Sequence, residues 1–353
     1  MAPLVATISH LTEQGWDFKV VLPQDESLAD YFDKAGWVAG IAGTSTPPLV
    51  RGRSYLPLTP YNSHAELNPL VTEMIDHLAT STAFRPGVLD AIAWSVNEIA
   101  DNVLLHAGPG TTGWVQMIEL PKKSQIEFVI VDCGRGITNS LRQAFPGLED
   151  DREAVMKAVE KGVTRDPKVG QGNGLAGTIR IAHAAGGWAN VHSGEGQLRL
   201  MPETTLCELA PRHNGTLVEV TLPTANDIDV ADALWGHQPI SELEMKYVDE
   251  GGAGLTLRLA DETTGFGNRA SAKPVRIKIR NLMTQFPNDS IVVDFEGAGV
   301  EDEPGHPGLS TLSGARPRGR FGPCGRPPGE NRWPPSASLG IMRDLGHVSG
   351  GRP

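Results

Sequence analysis

A carboxylate, an amide and an imidazole are spaced four residues apart in the segment 86–107, at Glu98, Asn102 and His106. Apolar residues in the same segment recur at intervals of three and four, which predicts an amphipathic helix with these polar side chains together on another face. Asn102 can supply an oxygen ligand to a hydrated Mg²⁺, and Glu98 can position or deprotonate an attacking water or hydroxyl. Because Glu-x-x-x-Asn also occurs on solvated helix faces, the pattern alone does not separate a site from a polar surface.

A second carboxylate, Asp132, ends the apolar strand predicted at 126–132 and is followed by Gly134 and Gly136. Glycines allow a ligand to approach the backbone, and a carboxylate beside them can accept a hydrogen bond from an exocyclic amine such as N6 of adenine. The competing interpretation is an Asx-turn that closes the strand.

Three alternating glycines, Gly170, Gly172 and Gly174, precede Leu175 and a helix predicted to end near Ala185. Such a loop exposes backbone N–H groups, and the start of the helix adds positive potential, so the segment suits a polyphosphate. A flexible loop has the same composition, and both interpretations stay open for this segment alone.

Together and in this order, the three segments resemble the GHKL ATPases, the superfamily of gyrase B, Hsp90, the histidine kinases and MutL, with the anti-sigma serine kinases. The residues that match its three boxes are Glu98 and Asn102 (N box), Asp132, Gly134 and Gly136 (DxGxG box), and Gly170, Gly172, Gly174 and Leu175 (GxGxGL box). The family's later run of helix, Gly-Gly, strand, glycine turn and Gly-Thr strand is similar to residues 174–223.

The resemblance implies an α/β (α+β) fold, a sandwich whose mixed sheet is covered by helices and which binds ATP and Mg²⁺. It also implies that Asp132 contacts adenine, that Asn102 binds the metal and that Glu98 handles the catalytic proton. The segment 138–170 corresponds to the lid over the phosphates. The implied nucleotide-binding residues are Asn102, Asp132, Gly134, Gly136, Gly170, Gly172, Gly174, Leu175 and Thr216.

Two other phosphate-binding motifs do not account for these glycines. Gly172, Gly174 and Gly177 satisfy GxGxxG, but that dinucleotide fingerprint requires a strand directly before it. Residues 163–171 are polar and interrupted by Pro167. No GxxxxGK[ST] loop is present in the sequence.

His64 lies in the segment SHAELNPL, which superficially resembles the phosphoacceptor box of histidine kinases. Only 33 residues separate His64 from Glu98, too few for a second dimerisation helix and the first ATPase elements. We therefore predict that His64 is a helix-start residue.

The chain divides into four predicted regions: a small α/β unit (1–61), the ATP-binding domain (62–225), a STAS-like module (226–300) and a tail (301–353). In the first region, the alternating segment Asp17–Pro23 predicts a strand and Ser27–Trp37 predicts a helix. Residues 44–62 are so rich in proline that we expect an irregular connection.

The third region resembles the STAS-like domain found beside GHKL domains in bacterial proteins. The matching residues are Phe266, Gly267, Arg269, Ala272 and Asp294–Gly297. In STAS relatives the strand ending near Asp294 leads into a serine-bearing loop that anti-sigma-type kinases phosphorylate. Here the match stops at Val300, in mid-domain, so the module looks truncated and no serine acceptor within the chain is assigned.

Beyond Val300 the composition changes abruptly, with 11 Gly, 9 Pro and 7 Arg but no Lys in residues 301–353. That composition is typical of a disordered segment. Because the STAS-like match stops at the same point, we also hypothesise a frameshift or an alternative end near Val300.

The formal net charge of −11 disfavours general binding to nucleic acid or to an anionic membrane. No stretch reaches the roughly 18 uncharged apolar residues of a membrane span, and Met1–Leu22 lacks the pattern of a signal peptide. The three cysteines are scattered and contain no CxxC pair, so we expect neither a disulfide framework nor a zinc site. We therefore expect a cytoplasmic protein.

These features predict a bacterial ATP-binding regulatory protein that hydrolyses ATP slowly or phosphorylates a serine or threonine on a protein partner. The STAS-like module would couple nucleotide state to protein contacts, and a homodimer is one candidate assembly. The alternative is a non-catalytic nucleotide sensor or scaffold, against which the presence of both Glu98 and Asn102 argues.

Overall fold

The computed structural model describes residues 1–44, 46, 55–164, 172–248, 254–263, 269–297 and 320–321. Some predicted features lie outside the described residues: Gly170 of the GxGxGL box, Phe266 and Gly267 of the STAS-like match, and the tail apart from residues 320–321.

A five-stranded sheet with the order β1-β2-β3-β5-β4 lies at the centre of the fold. Its strands are β1 (Tyr55–Tyr61), β2 (Gly113–Leu120), β3 (Gln125–Asp132), β4 (Trp188–Met201) and β5 (Thr204–Pro223). Its four strand pairs are antiparallel, and Asp132 lies opposite Thr216 in the pairing of β3 with β5. Side chains of successive β3 residues point to opposite faces, so both faces need a cover.

Three helices cover one face of this sheet: α4 (His64–Ser81), α5 (Val88–His106) and α8 (Gly174–Ala184). The apolar stripe of α5, including Ile92 and Ile99, packs with Phe128 and Ile130 of β3 in one buried core. This arrangement confirms the predicted α/β sandwich. The sheet is not mixed as predicted: its described pairs are all antiparallel, because β2 and β3, and likewise β4 and β5, follow each other through short connections. His64 is the first residue of α4, as predicted.

The opposite face of the sheet is covered by α1 (Ala2–Glu13) and α3 (Trp37–Ala42), a layer that we did not predict. Val5 and Trp37 pack there against Trp114, Val131 and Leu217. Val131 belongs to this second core and its neighbour Ile130 to the first, as the alternation of a strand requires.

Two predictions for the N-terminal region are wrong. Residues 17–23 form no regular element and are largely exposed, because alternation produces a strand only where a neighbouring strand pairs with it, and no described strand does. Residues 55–61, expected to be irregular, form β1. Pro57 and Pro60 are tolerated because β1 is an edge strand of the sheet. The predicted helix Ser27–Trp37 is observed as α2 (Glu26–Lys34), which ends before Gly36.

The segment predicted as the lid contains two short helices, α6 (Gly136–Ala144) and α7 (Asp151–Ala158). Ala154 and Val155 of α7 are fully buried, so this part of the segment belongs to the packed domain. The strand and glycine turn that follow α8 are part of one long strand, β4, whose register shifts between Ser193 and Gly196.

The C-terminal residues form short elements and one long helix: α9 (Val230–Ala233), α10 (Glu242–Tyr247), β6 (Leu255–Arg258), α11 (Leu259–Glu262), α12 (Arg269–Gln285), β7 (Ile291–Asp294) and β8 (Arg320–Phe321). Strands β6 and β7 pair in parallel, and β8 adds to β7 in antiparallel orientation. Leu257 and Leu282 join the same core as the α4 and α5 side chains. The domain boundaries at 61, 225 and 300 stay predictions.

No helix among the described residues combines the length and the apolar character that crossing a membrane requires.

Candidate nucleotide-binding site

A cavity of about 620 Å³ lies between α5, α6 and α8, with residues of β3 and β5 at its base. Eight predicted site residues line it: Glu98, Asn102, Asp132, Gly136, Gly172, Gly174, Leu175 and Thr216. The cavity therefore brings together residues from all three sequence boxes, although the boxes are separated by long stretches of chain.

Asp132 ends β3 at the base of the cavity and is only 2% exposed. Its Oδ1 accepts a hydrogen bond of 2.7 Å from the backbone N–H of Gly134, and Thr216 on the neighbouring strand supplies a second backbone N–H. Burial raises the pKa of Asp132 to about 6, while the two hydrogen bonds oppose that rise. The carboxylate is held in place and keeps acceptor capacity for a ligand.

Glu98 and Asn102 lie one turn apart on α5 and face the first turn of α8. A Cβ atom at Gly174 would lie 2.5 Å from Glu98 Oε2 and 3.4 Å from Asn102 Nδ2, so glycine is needed for this close approach. The approach brings the backbone donors at the start of α8 beside both side chains. Burial, followed by the negative charge of Asp101, raises the pKa of Glu98.

The turn after Asp132 is tied to the strands beside it. Gly136 has a φ of +76°, and the N–H of Ile137 donates a 2.9 Å hydrogen bond to Ser193 Oγ. Ser193 Oγ in turn donates to the carbonyl of Gly215 at 2.7 Å. These bonds connect the start of α6 to β4 and β5 and hold one wall of the cavity.

The two ends of the segment before α8 are hydrogen-bonded to each other. The N–H of Gly162 donates to the carbonyl of Gly172 at 3.1 Å and to Asn173 Oδ1 at 3.2 Å. Gly172 has a φ of +69°, and a Cβ atom there would lie 2.6 Å from the carbonyl oxygen of Val163. These contacts define the base of the lid segment and place it at the cavity.

One predicted residue that the structure describes, Gly134, does not line the cavity. Gly134 packs instead against the backbone of Ala107, and the N–H of Arg135 donates to the Ala107 carbonyl at 2.7 Å. This contact joins the end of β3 to the end of α5, so the role of Gly134 is to permit a close backbone approach. Gly170 lies outside the described residues.

Five charged or aromatic residues of the described cavity wall were not predicted from the sequence: Trp94, Asp101, Lys161, Trp235 and His237. Helical spacing from Glu98 could have indicated Asp101, since residues three apart share a face. The same spacing could have indicated Trp94, which lies four residues before Glu98 on α5. Lys161, Trp235 and His237 reach the cavity through tertiary packing. Trp235 follows β5 and α9 in the chain, and no local pattern indicates that it returns to this site.

Charge around the cavity is mainly acidic, with carboxylates from Glu98, Asp101 and Asp132 and a single described cation, Lys161. Among the described residues, no group of three or more His, Cys, Asp or Glu side chains could hold a metal ion. The side-chain oxygen of Asn102 is of the kind that Mg²⁺ accepts as a ligand.

His64 Nε2 lies 3.1 Å from Asp101 Oδ1. This contact joins the first residue of α4 to α5. Both side chains are about half exposed.

Comparison with protein families matches residues 87–226 to the family described as "Histidine kinase-, DNA gyrase B-, and HSP90-like ATPase". The matched segment includes α5, most of the residues that line the cavity and both strands that carry Asp132 and Thr216. A comparison with curated proteins found no match.

Proposed function

We propose that the protein binds ATP with Mg²⁺ in this cavity and either hydrolyses it slowly or transfers its γ-phosphate to a serine or threonine of a protein partner. One observation carries the proposal. Asp132, Asn102, Glu98 and the glycine-led start of α8 surround a single cavity in the segment that matches the ATPase family.

Asp132 would receive the adenine end of the nucleotide. An ionised carboxylate accepts a hydrogen bond from the exocyclic amine, and the Gly134 and Thr216 N–H groups keep it oriented. Asn102 would hold Mg²⁺ through its side-chain oxygen, and Mg²⁺ when bound neutralises phosphate charge during transfer.

Glu98 would accept the proton of the attacking group. Water or a hydroxyl forms a new O–P bond to the γ-phosphorus while the bond to the β-phosphate oxygen breaks and ADP leaves. Burial raises the pKa of Glu98, which makes its carboxylate a better proton acceptor. The start of α8 offers backbone N–H groups to the phosphates.

The C-terminal residues would form the STAS-like module that couples nucleotide state to a protein contact. Support comes from β6 and β7, which pair in parallel with α12 between them in the chain, a connection typical of small α/β modules. Asp294 and Glu296 of the proposed match lie at the end of β7.

The test is incubation with ATP labelled on the γ-phosphate, with and without Mg²⁺ and with a lysate of the source cells. We expect label in free phosphate or on a partner protein, and Glu98→Gln should lower either product about 100-fold or more while ATP affinity by calorimetry stays within about threefold. Glu73→Gln, an exposed glutamate on α4, is the matched control. Binding without any turnover would favour the sensor; absence of binding would contradict the proposal.

A further inference from the structure

The chain returns to the cavity after the segment that matches the ATPase family. That segment ends at residue 226, yet Leu234, Trp235 and His237 line the cavity. Trp94 on α5 and Leu234 both pack against Gly177 of α8. The C-terminal extension therefore supplies a wall that is absent from the matched domain itself.

Trp235 is held in an unusual backbone conformation. It has a φ of +57°, and Ser124 is the other non-glycine residue of the described chain with a positive φ. A bulky residue seldom adopts this region, and such residues concentrate at functional sites. The turn is closed by two backbone hydrogen bonds, from Trp235 N to the Asp232 carbonyl at 3.2 Å and from Gly236 N to the Ala231 carbonyl at 2.7 Å.

Two cations lie against the Trp235 ring. Arg180 Cζ is 4.8 Å and Lys161 Nζ is 4.5 Å from the ring centroid. Arg180 is already engaged, because its Nε donates to the Ala233 carbonyl at 2.8 Å. Lys161 is exposed and forms no ion pair with a described residue, so its ammonium keeps donors for another group.

Lys161 lies at the end of the cavity where phosphates would be. It directly precedes Gly162, whose N–H binds Gly172 and Asn173 at the base of the lid segment. Asp132 lies at the opposite end of the cavity. The turn that follows Asp132 packs against Ala107, at the C-terminal end of α5. The phosphates of a nucleotide whose adenine binds Asp132 would therefore lie toward Glu98 and Trp94. Trp235 lines this end of the cavity.

We propose that Trp235 is a positioning residue that holds the Lys161 ammonium ready for the terminal phosphate of ATP. A lysine side chain has four flexible carbons and a freely rotating ammonium, and a ring face on one side restricts it by a cation–π contact. The other side of the ammonium stays free for phosphate oxygens, so less rotamer freedom is lost on binding. This inference rests on the proposed function and adds the residue that discriminates ATP from ADP.

The test measures affinities for ATP and ADP by calorimetry for wild type, Lys161→Met, Trp235→Leu, Trp235→Phe and the double variant Lys161→Met/Trp235→Leu. Lys161→Met should weaken ATP binding at least about tenfold, with ADP affinity nearly unchanged. Trp235→Leu should weaken ATP binding about threefold to fivefold, and Trp235→Phe should restore most of it because phenylalanine retains a ring face.

The double variant separates positioning from a purely structural effect. If Trp235 acts through Lys161, the double variant binds ATP no more weakly than Lys161→Met alone. Lys157→Met, at a half-buried lysine one turn earlier that pairs with Glu160 and does not line the cavity, should match wild type in its affinities for ATP and ADP.

An unchanged ratio of ATP affinity to ADP affinity in Lys161→Met overturns the inference but does not contradict the proposal that the protein binds ATP. Additive losses in the double variant overturn the role of Trp235. If the wild-type protein binds neither nucleotide, the proposed function fails and the inference fails with it.

Discussion

The carboxyl group of Asp132 is buried at the end of β3, so its protonation affects folding as well as ligand binding. Its pKa rises from 3.8 to about 6 in the folded protein, and the folded state therefore binds more protons than the unfolded state between these two values. The contribution of this group to stability is fully present below pH 3.8 and is lost as pH rises through 6.

Asp132→Asn should remove this pH dependence, because the amide oxygen can accept the same backbone hydrogen bonds and does not titrate. We expect the free energy of unfolding of Asp132→Asn, relative to wild type, to increase by up to about 3 kcal/mol between pH 4 and pH 7. Urea unfolding of the ligand-free protein at several pH values measures the difference. Asp289→Asn, at an exposed position, should follow wild type; parallel curves for Asp132→Asn would refute the assignment.

For individual residues, the sequence predicts those whose motif is contiguous in the chain. It does not predict those that reach the site only through contacts between distant elements. Asp132 could be predicted because a strand, a carboxylate and glycines are adjacent in the chain. Trp235 could not, since its contacts with Lys161 and Arg180 connect elements more than 50 positions apart. Its positive φ is also invisible to residue preferences, which favour glycine there.

Among the elements, the contact of α8 with α5 sets the geometry around the Glu98 side chain. Gly174→Ala should displace the Glu98 carboxylate, because the added methyl group would lie 2.5 Å from Oε2. We expect ATP turnover to fall at least about tenfold, whereas stability should change by no more than about 1 kcal/mol, since α8 tolerates alanine. Steady-state turnover and thermal unfolding report the two effects.

Gly147→Ala is the matched control, because a Cβ atom at Gly147 meets nothing within 4 Å and its φ lies outside the left-handed region. Wild-type turnover in Gly174→Ala would mean that the close approach of α8 to Glu98 has no catalytic role.

Helices and strands were predicted correctly where the apolar periodicity of the sequence matches the buried face. The predictions were wrong where strand formation depends on pairing with another strand. Helices α4 and α5 follow their apolar spacing closely, and β2 and β3 are central strands with apolar residues. The segment 17–23 has a strand pattern without a described partner, whereas β1 has two prolines and yet pairs with β2. Whether an alternating segment becomes a strand depends on a neighbour that the sequence does not identify.

Across the whole molecule, α12 is tied to the helices of the cavity through buried polar side chains. Asn281 accepts a hydrogen bond from Phe84 N at 2.8 Å and donates to the carbonyl of Ala79 at 2.8 Å. Gln285 accepts another from Gly87 N at 3.0 Å. These residues satisfy the end of α4 and the turn that leads into α5, so the C-terminal helix helps to fix the helix that carries Glu98.

The same helix places Lys278, fully buried, between Asp76 of α4 and Glu262 of α11. Tyr247 donates to this cluster, since its hydroxyl lies 3.0 Å from Asp76 Oδ1 and 2.8 Å from Glu262 Oε1. Burial and the two nearby carboxylates raise the pKa of Tyr247, which keeps it a neutral donor. The cluster joins α4 to three C-terminal elements.

Lys278→Met should therefore destabilise helices α4 and α5 together with the C-terminal elements. Removing the ammonium takes a cation from two buried carboxylates, although Lys246 Nζ still lies 2.8 Å from Asp76 Oδ1. We therefore expect the free energy of unfolding to fall by about 3 kcal/mol, the lower end of the cost of breaking a buried ion pair. Hydrogen exchange should show faster exchange in α4 and α5 as well as in α12, because all three share one core. Lys273→Met, exposed on the same helix, should exchange like wild type. Faster exchange confined to residues after 226 would instead mean that the C-terminal elements unfold independently and cannot transmit nucleotide state through α12.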